Sequence, residues 1–360
     1  MKEIHSIINA YSQIDFTTTS AALATVVGVE GSSYRRMGAR MLVLEDGSVR
    51  GGISGGCLEG DARRRAQKAM QDQKASIHTY DTTRDDEHQV GVGLGCNGII
   101  DVLLTPLNGH YDVVTHLKEM VSKRSPTLMI TSLSDSEYWK KGDTKIFDSK
   151  FDETSVPLYL RDAFLSTAQQ CIHDRSSCKK ELDKDCIFFF ELLMPATQLI
   201  LCGGNYDLFP LARISKELGW ETKIVCNKSR ASHEMFQLAS IYDQRGNELP
   251  AIDEFTAVIL MSHDLKTDTE NLQRLIGSNA RYIAILGPAK RREKIYFSLR
   301  EAGYDLDKLQ DKLHAPAGLD IGATTPEEIA ISIVSEIIAF FHNRPGTFLR
   351  NRQGAIHSSE

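Results

Sequence analysis

The sequence contains no apolar run of the roughly 20 residues that a membrane-spanning helix needs; its strongest, "CIFFFELLMP" (186–195), stops far short. The apolar stretch of a signal peptide is also missing, because "MKEIHSIINAYSQID" carries charges where that stretch would lie. Seven cysteines in 360 residues are too few and too scattered for a disulfide framework, and there is no C-x-x-C pair. A reduced, cytoplasmic protein is expected. Basic charge is not in excess: Lys plus Arg number 42 against 48 Asp plus Glu, for a formal charge of −6. That balance argues against broad binding to nucleic acid or anionic membrane. No Walker loop or H-E-x-x-H is present, which argues against two large enzyme classes.

What is present is an ordinary globular composition, 41% hydrophobic and 25% charged, on a chain long enough for about two domains. In the first half, Ile4, Ile7, Ile8 and Tyr11 share a helical face. "ALATVVGV" (22–29) reads as a strand and "MLVLEDGSVRG" (41–51) as a hairpin, with Asp46-Gly47 suited to a primed turn. Leu58, Ala62, Ala66, Ala69 and Met70 mark an amphipathic helix. Strand-like segments recur at 76–80, 99–104, 127–133 and 186–193, with helical character around 161–172. This half is expected to mix α and β.

From Thr197 the pattern becomes regular. "TQLILCGGNYDLFPLARISKELGW" is a buried strand, a glycine turn and a helix, and "ETKIVCN", "TAVILMS" and "RYIAILG" are further strands separated by helices. "TTPEE" opens the last helix with Thr325 as N-cap, Pro326 at the first helical position and Glu328 closing a capping box. Such alternation predicts a mostly parallel, doubly wound sheet. The expected organisation is therefore a mixed α+β domain over 1–195, a doubly wound domain over 196–344 and a tail over 345–360.

"GGISGGCLEGD" (51–61) sets Cys57 among five glycines just before a helix, where the N-terminal field favours a reactive thiol. "GVGLGCNG" (91–98) sets Cys96 in a similar context. Cys202 and Cys226 end apolar strands and fit the commoner role of small buried hydrophobes. In the second half, Gly203 and Gly204 occupy the place of a phosphate loop. Asn205, however, takes the third position of G-x-G, and Cys226-Asn227 stand where an acid would meet a ribose. That argues against ordinary NAD binding and leaves a plain strand-to-helix turn as the alternative. "SHD" (262–264), "GPAKRR" (287–292) and "GLDIG" (318–322) are expected beyond strand ends of the same sheet, where open α/β sheets bind ligands. His263 and Asp264 are read as an acid–base or hydrogen-bonding pair, or as a chance neighbour pair. Lys290, Arg291 and Arg292 are read as anion contacts, or as a solvated basic turn. "CIHDRSSC" (171–178), with Cys186 beyond, has zinc-type ligands without the spacing of a zinc finger or knuckle.

Together these motifs resemble one family. "GSSYRRMGARMLVLEDGSVRGGISGGCLEGD" (31–61) is similar to the signature of the XdhC/CoxI family, accessory proteins that mature molybdenum hydroxylases such as xanthine dehydrogenase. "GLGCNGIIDVLL" (93–104) looks like that family's second glycine–cysteine motif, and "GGNYDLFPLAR", "SHD", "YIAILGPAKRR" and "HAPAGLDIGATTPEEIAISIVSEIIA" resemble its Rossmann-like domain. The departures are Asn205-Tyr206 where G-x-G-H is common, and Asn97 where a glycine often follows the cysteine. The resemblance implies a cytoplasmic homodimer that binds molybdenum cofactor (molybdopterin), protects it and assists its sulfuration. Its partners would be a molybdenum hydroxylase apoenzyme and a cysteine desulfurase. A maturation chaperone rather than a catalyst is implied. Cys57 and Cys96 would be the molybdenum contacts, since the metal accepts soft sulfur ligands. Gly55, Gly56 and Gly95 would make room, and Arg35, Arg36 and Arg40 would hold the phosphate. The second-domain candidates are Gly203, Gly204, His263, Asp264, Arg291, Arg292 and Asp320. The rival expectation is an NAD(P)-dependent oxidoreductase using the second domain.

Overall fold

A computed structural model of the protein describes residues 1–31, 33–83, 98–246, 249–306, 309 and 311–353. The chain divides into two compact units, Met1–Pro195 and Ala196–Glu360.

The first unit holds two antiparallel sheets. Strands β1 (Ala21–Gly31), β2 (Arg40–Leu44), β3 (Val49–Gly51), β4 (Ser76–Asp81) and β5 (Gly98–Leu107) form one, in the order β3-β2-β1-β5-β4. Helix α2 (Glu59–Asp72) lays Leu58, Ala62, Ala66, Ala69 and Met70 against Ala22, Ala24, Val26, Met41 and Val43 on one face. Helices α1 (Lys2–Tyr11) and α3 (Val113–Ser122) cover Ala21, Leu23 and Leu42 on the other. With both faces covered, β1 is buried at eight successive positions and reads as a continuous apolar run rather than an alternating one. No element was expected at α3, although Asp112 caps it and Val113, Val114, Leu117 and Met120 form its buried stripe.

The second sheet comprises β6 (Thr127–Ser132), β7 (Thr144–Phe147), β8 (Cys178–Asp183) and β9 (Cys186–Leu193), in the order β7-β6-β9-β8. Helix α4 (Arg161–His173) packs Phe164, Ala168 and Cys171 onto Leu128, Ile130, Phe188 and Phe190. Successive strand residues face opposite ways, so Phe189 turns from α4 and meets Val27 and Leu103 of the first sheet. The two sheets are also joined by charge. Arg40, at the start of β2, is 1% exposed; its Nη2 pairs with Glu191 of β9 and its Nη1 donates to the Gly38 carbonyl at 2.7 Å. This corrects the expectation that Arg40 holds a phosphate, because its guanidinium is already committed to a buried carboxylate 151 residues away.

The second unit is a six-stranded parallel sheet of β10 (Gln198–Cys202), β11 (Glu221–Cys226), β12 (Ser240–Asp243), β13 (Thr256–Leu260), β14 (Tyr282–Ile285) and β15 (Leu313–His314). The order β12-β11-β10-β13-β14-β15 is that of a Rossmann fold, reversing direction between β10 and β13. Helices α5 (Leu208–Leu218) and α9 (Pro326–Phe341) share one face; α7 (Leu265–Leu275) and α8 (Ala289–Glu301) cover the other. Between them, α6 (His233–Leu238) leads into β12. The capping box at Thr325 forms as expected, and the N–H groups of Thr325 and Thr324 hold the Glu328 carboxyl down to about 2. Among the described residues no helix is long and apolar enough to cross a membrane.

Removing one partner of a buried ion pair strands the other charge, at a cost of roughly 3–5 kcal/mol. Glu191→Ala is therefore expected to lower the first unit's stability to urea by about that amount. An Arg40→Met, Glu191→Leu double variant should recover much of the loss. Equal destabilisation by the single and double variants would contradict the role given to the pair.

Candidate functional site

The glycine–cysteine loop spans the eight or so backbone steps between β3, which ends at Gly51, and α2, which begins at Glu59. Glu59 sits in the first turn of α2, where a negative charge meets the positive end of the helix. Its carboxylate reaches back into the loop: Oε1 accepts the N–H groups of Ile53 at 3.2 Å and Ser54 at 2.8 Å, and Oε2 accepts the Ser54 hydroxyl. The same Ser54 Oγ lies 3.2, 3.1 and 3.0 Å from the N–H groups of Gly56, Cys57 and Leu58. Those donors precede the helix and have no carbonyl of an earlier turn to use. One serine and one glutamate thus fold the loop into a knot.

Cys57 stands on that knot. It is half-buried, with its thiol 3.4 Å from Ser54 Oγ. Gly56, beside it, has φ of +112°, a conformation L side chains rarely adopt, and a Cβ there would point into open space. Its glycine is required by backbone geometry. The ring of Tyr34 lies over Gly55 and is 73% exposed, so it presents an aromatic surface at the loop. Arg35 is paired with Glu3 at 2.5 Å, and Arg36 is also engaged. Gly95 and Cys96 lie outside the described residues.

In the second unit the expected segments do follow strand ends: Gly203-Gly204 after β10, Ser262–Asp264 after β13, Gly287–Arg292 after β14 and Gly318–Gly322 after β15. A Cβ on Gly203 would come within 2.5 Å of the Met261 carbonyl oxygen, so this glycine admits the neighbouring strand's backbone. The crevice where strand order reverses is crossed by the protein's own hydrogen bonds. Asn205 Nδ2 donates to the Ser262 carbonyl at 3.1 Å, and His263 Nε2 lies 2.6 Å from Asp207 Oδ2. His263 has φ of +61°, a backbone conformation rare outside glycine.

Three expectations change here. Asp264 does not pair with His263; it caps α7, accepting the Thr267 N–H at 3.0 Å, while Asp207 takes the histidine. Arg291 pairs with Asp268 at 2.6 Å, a fully buried carboxylate that also accepts the Ser262 hydroxyl and N–H. Arg292 donates to the Ala315 carbonyl at 2.9 Å. Basic residues sit in the first turn of α8 because Asp268 and a carbonyl lie within their reach. Asp320 is exposed. Cys202 and Cys226 are buried, and burial pushes both thiols up, that of Cys202 to about 12.

An oxidoreductase using NAD(P) finds no support in this geometry. Asp207 places a carboxylate at the start of α5, where a pyrophosphate would sit, and Cys226 is buried where a ribose-binding acid would stand.

Residues 199–337 match the XdhC Rossmann domain, and residues 17–81 match the XdhC and CoxI family. The chain belongs to the XdhC and CoxI family. Several relatives span nearly its whole length. It is 28% identical to a probable xanthine dehydrogenase subunit of Bacillus subtilis, over 94% of this chain and 97% of that protein. It is 25% identical to the molybdenum cofactor insertion chaperone PaoD of Escherichia coli, over 88% of this chain and 82% of that protein. A crystal structure of a xanthine dehydrogenase from Bacillus halodurans superposes with a TM-score of 0.73 at 28% identity, covering 96% of this chain and 97% of that one. The matched span 17–81 includes Ser54 and Glu59, which no local sequence pattern marks in the way that the flanking glycines mark Cys57. The spacing between them exceeds that of a capping box, so no standard helix-start pattern flags the pair.

Burial alone would raise the Glu59 pKa, but hydrogen bonds from the Ser54 hydroxyl and the Ser54 and Ile53 N–H groups outweigh it and hold the carboxyl below its ordinary value. The loop's contribution to stability is therefore complete above the ordinary glutamate value of 4.5 and is lost as pH falls through the lower folded value. Glu59→Ala should cost the first unit about 1.5–3 kcal/mol in urea unfolding, since hydrogen bonds to a charged group are lost. It should also flatten the acid limb of that unit's stability. An unchanged acid limb in a folded Glu59→Ala protein would refute the assignment.

Proposed function

We propose that this protein is an accessory factor in the maturation of a molybdenum hydroxylase, and that the loop at Cys57 receives molybdenum cofactor as cargo. The observation that carries this proposal is the half-buried thiol of Cys57 following Gly55-Gly56, in a chain whose relatives include a molybdenum cofactor insertion chaperone.

The donor set suits that cargo. Molybdenum accepts soft sulfur ligands, and the Cys57 thiol is such a donor. Ser54 Oγ, 3.4 Å from it, helps to fix the side chain. The exposed Tyr34 ring offers a stacking surface to a flat heterocycle. The finer parts of the proposal are that the protein shields the cofactor while its terminal sulfur is installed, that a cysteine desulfurase supplies this sulfur, and that the protein acts as a homodimer with an apoenzyme as recipient. Arg36, Gly55 and Gly56 are the neighbouring candidates for contact with the cargo; Cys96 and Gly95 complete the proposed set. In the second unit, Gly203, Gly204, His263 and Asp320 follow the carboxyl ends of strands and are the residues to test there.

The experiment is maturation of a hydroxylase apoenzyme with native protein or with Cys57→Ser. The variant should fold normally and lower the yield of active hydroxylase by about tenfold, the equivalent of 1.4 kcal/mol. Full maturation by folded Cys57→Ser would overturn the role given to this thiol.

A further inference from the structure

We propose that Cys171 and Cys178 are a redox-active pair, converted to an intramolecular disulfide by thiol–disulfide exchange with a small disulfide. The two sulfurs are 3.4 Å apart and share a hydrogen bond. Cys171 lies in the last turn of α4 and is 3% exposed, whereas Cys178 opens β8 and is partly exposed. The turn between them is held at both sides: Ser176 N–H donates to the Cys171 carbonyl at 3.0 Å, and Leu192 N–H donates to Ser177 Oγ at 3.0 Å. A disulfide has its sulfurs about 2.05 Å apart, so closure asks for a shift of about 1.4 Å, within reach of side-chain rotation.

The surroundings favour sulfur chemistry over metal binding. Among the described residues no group of three His, Cys, Asp or Glu side chains gathers as a metal site, and His173 and Asp174 are exposed. The two thiols are also unequal. The hydrogen bond from Cys171, with help from the Lys180 charge, pulls Cys178 down to about 7 against the effect of its burial. The same bond and burial push Cys171 up. Cys178 is thus the attacking thiolate and Cys171 the resolving thiol. Cys186, in the same apolar cluster, is pushed up by burial and by the charges of Asp183 and Asp185, and stays a thiol.

The exchange proceeds in two steps. The Cys178 thiolate attacks one sulfur of a disulfide R–S–S–R, forming a Cys178–S–S–R bond and expelling a thiolate. Cys171 then loses its proton and attacks the Cys178 sulfur, expelling the second thiolate. The two protons given up by the cysteines end on the two departing thiols. Two thiols of the protein are oxidised and one small disulfide is reduced. The bridge would clamp the end of α4 to the edge strand β8, whose Lys179 pairs with Asp101 of β5 at 2.6 Å.

The test holds the full chain in mixtures of reduced and oxidised glutathione, quenches with acid, alkylates free thiols and maps the peptides by mass. The expected result is a Cys171–Cys178 linked species, two hydrogens lighter, at ratios where Cys186, Cys202 and Cys226 remain alkylated. Cys171→Ser should instead accumulate glutathione on Cys178. If both cysteines alkylate alongside the buried ones at every ratio where the native chain is folded, the proposal is wrong. The native chain alone decides the matter if Cys171→Ser fails to fold.

Discussion

The geometry at Cys57 depends on a carboxylate reaching backwards from the start of a helix. Glu59 holds Ile53 and Ser54, and Ser54 in turn gathers the N–H groups of Gly56, Cys57 and Leu58. A loop rich in glycine has much conformational entropy to lose on ordering. Glu59 and Ser54 supply the local bonds that order this loop, the preorganisation that the proposed contact with cargo at Cys57 would need.

The second unit repeats the device with different residues. Asp268, in the first turn of α7, reaches back to the N–H and hydroxyl of Ser262 and is neutralised by Arg291. In both cases an acid near a helix N-terminus gains from the helix dipole while ordering the loop before it. The cations of the second unit that looked like ligand contacts are partly absorbed into this framework. The same holds for Arg40, which Glu191 engages inside the first unit. A buried pair of this kind adds little net stability over an apolar replacement, but it penalises any arrangement that separates the two sheets and strands one charge.

How much of this could be read in the sequence depended on the range of each interaction. The face of α2 and the capping box of α9 follow from spacings of three and four residues, and both form as those spacings require. The parallel, doubly wound character of the second sheet follows from alternating buried strands and helices, whereas its strand order does not. Strand β8 was missed because "CKKELD" is a largely exposed edge strand without apolar alternation. The partners Arg40–Glu191, Asp207–His263 and Asp268–Arg291 are 151, 56 and 23 residues apart, beyond any local pattern. Thus the backbone of the site was legible, and Cys57 stood out by its glycine neighbours. Which polar side chains were already engaged was not, because that is decided by tertiary contacts.

The central claim is that the anchored thiol loop receives molybdenum cofactor. The direct measurement is binding of that cofactor to the purified chain under anaerobic conditions, with retained pterin read as its fluorescent oxidation product and molybdenum by elemental analysis. The account predicts that pterin and molybdenum stay with the protein together, in stoichiometric amounts, after unbound cofactor is removed. A folded chain that lets both pass through would contradict it.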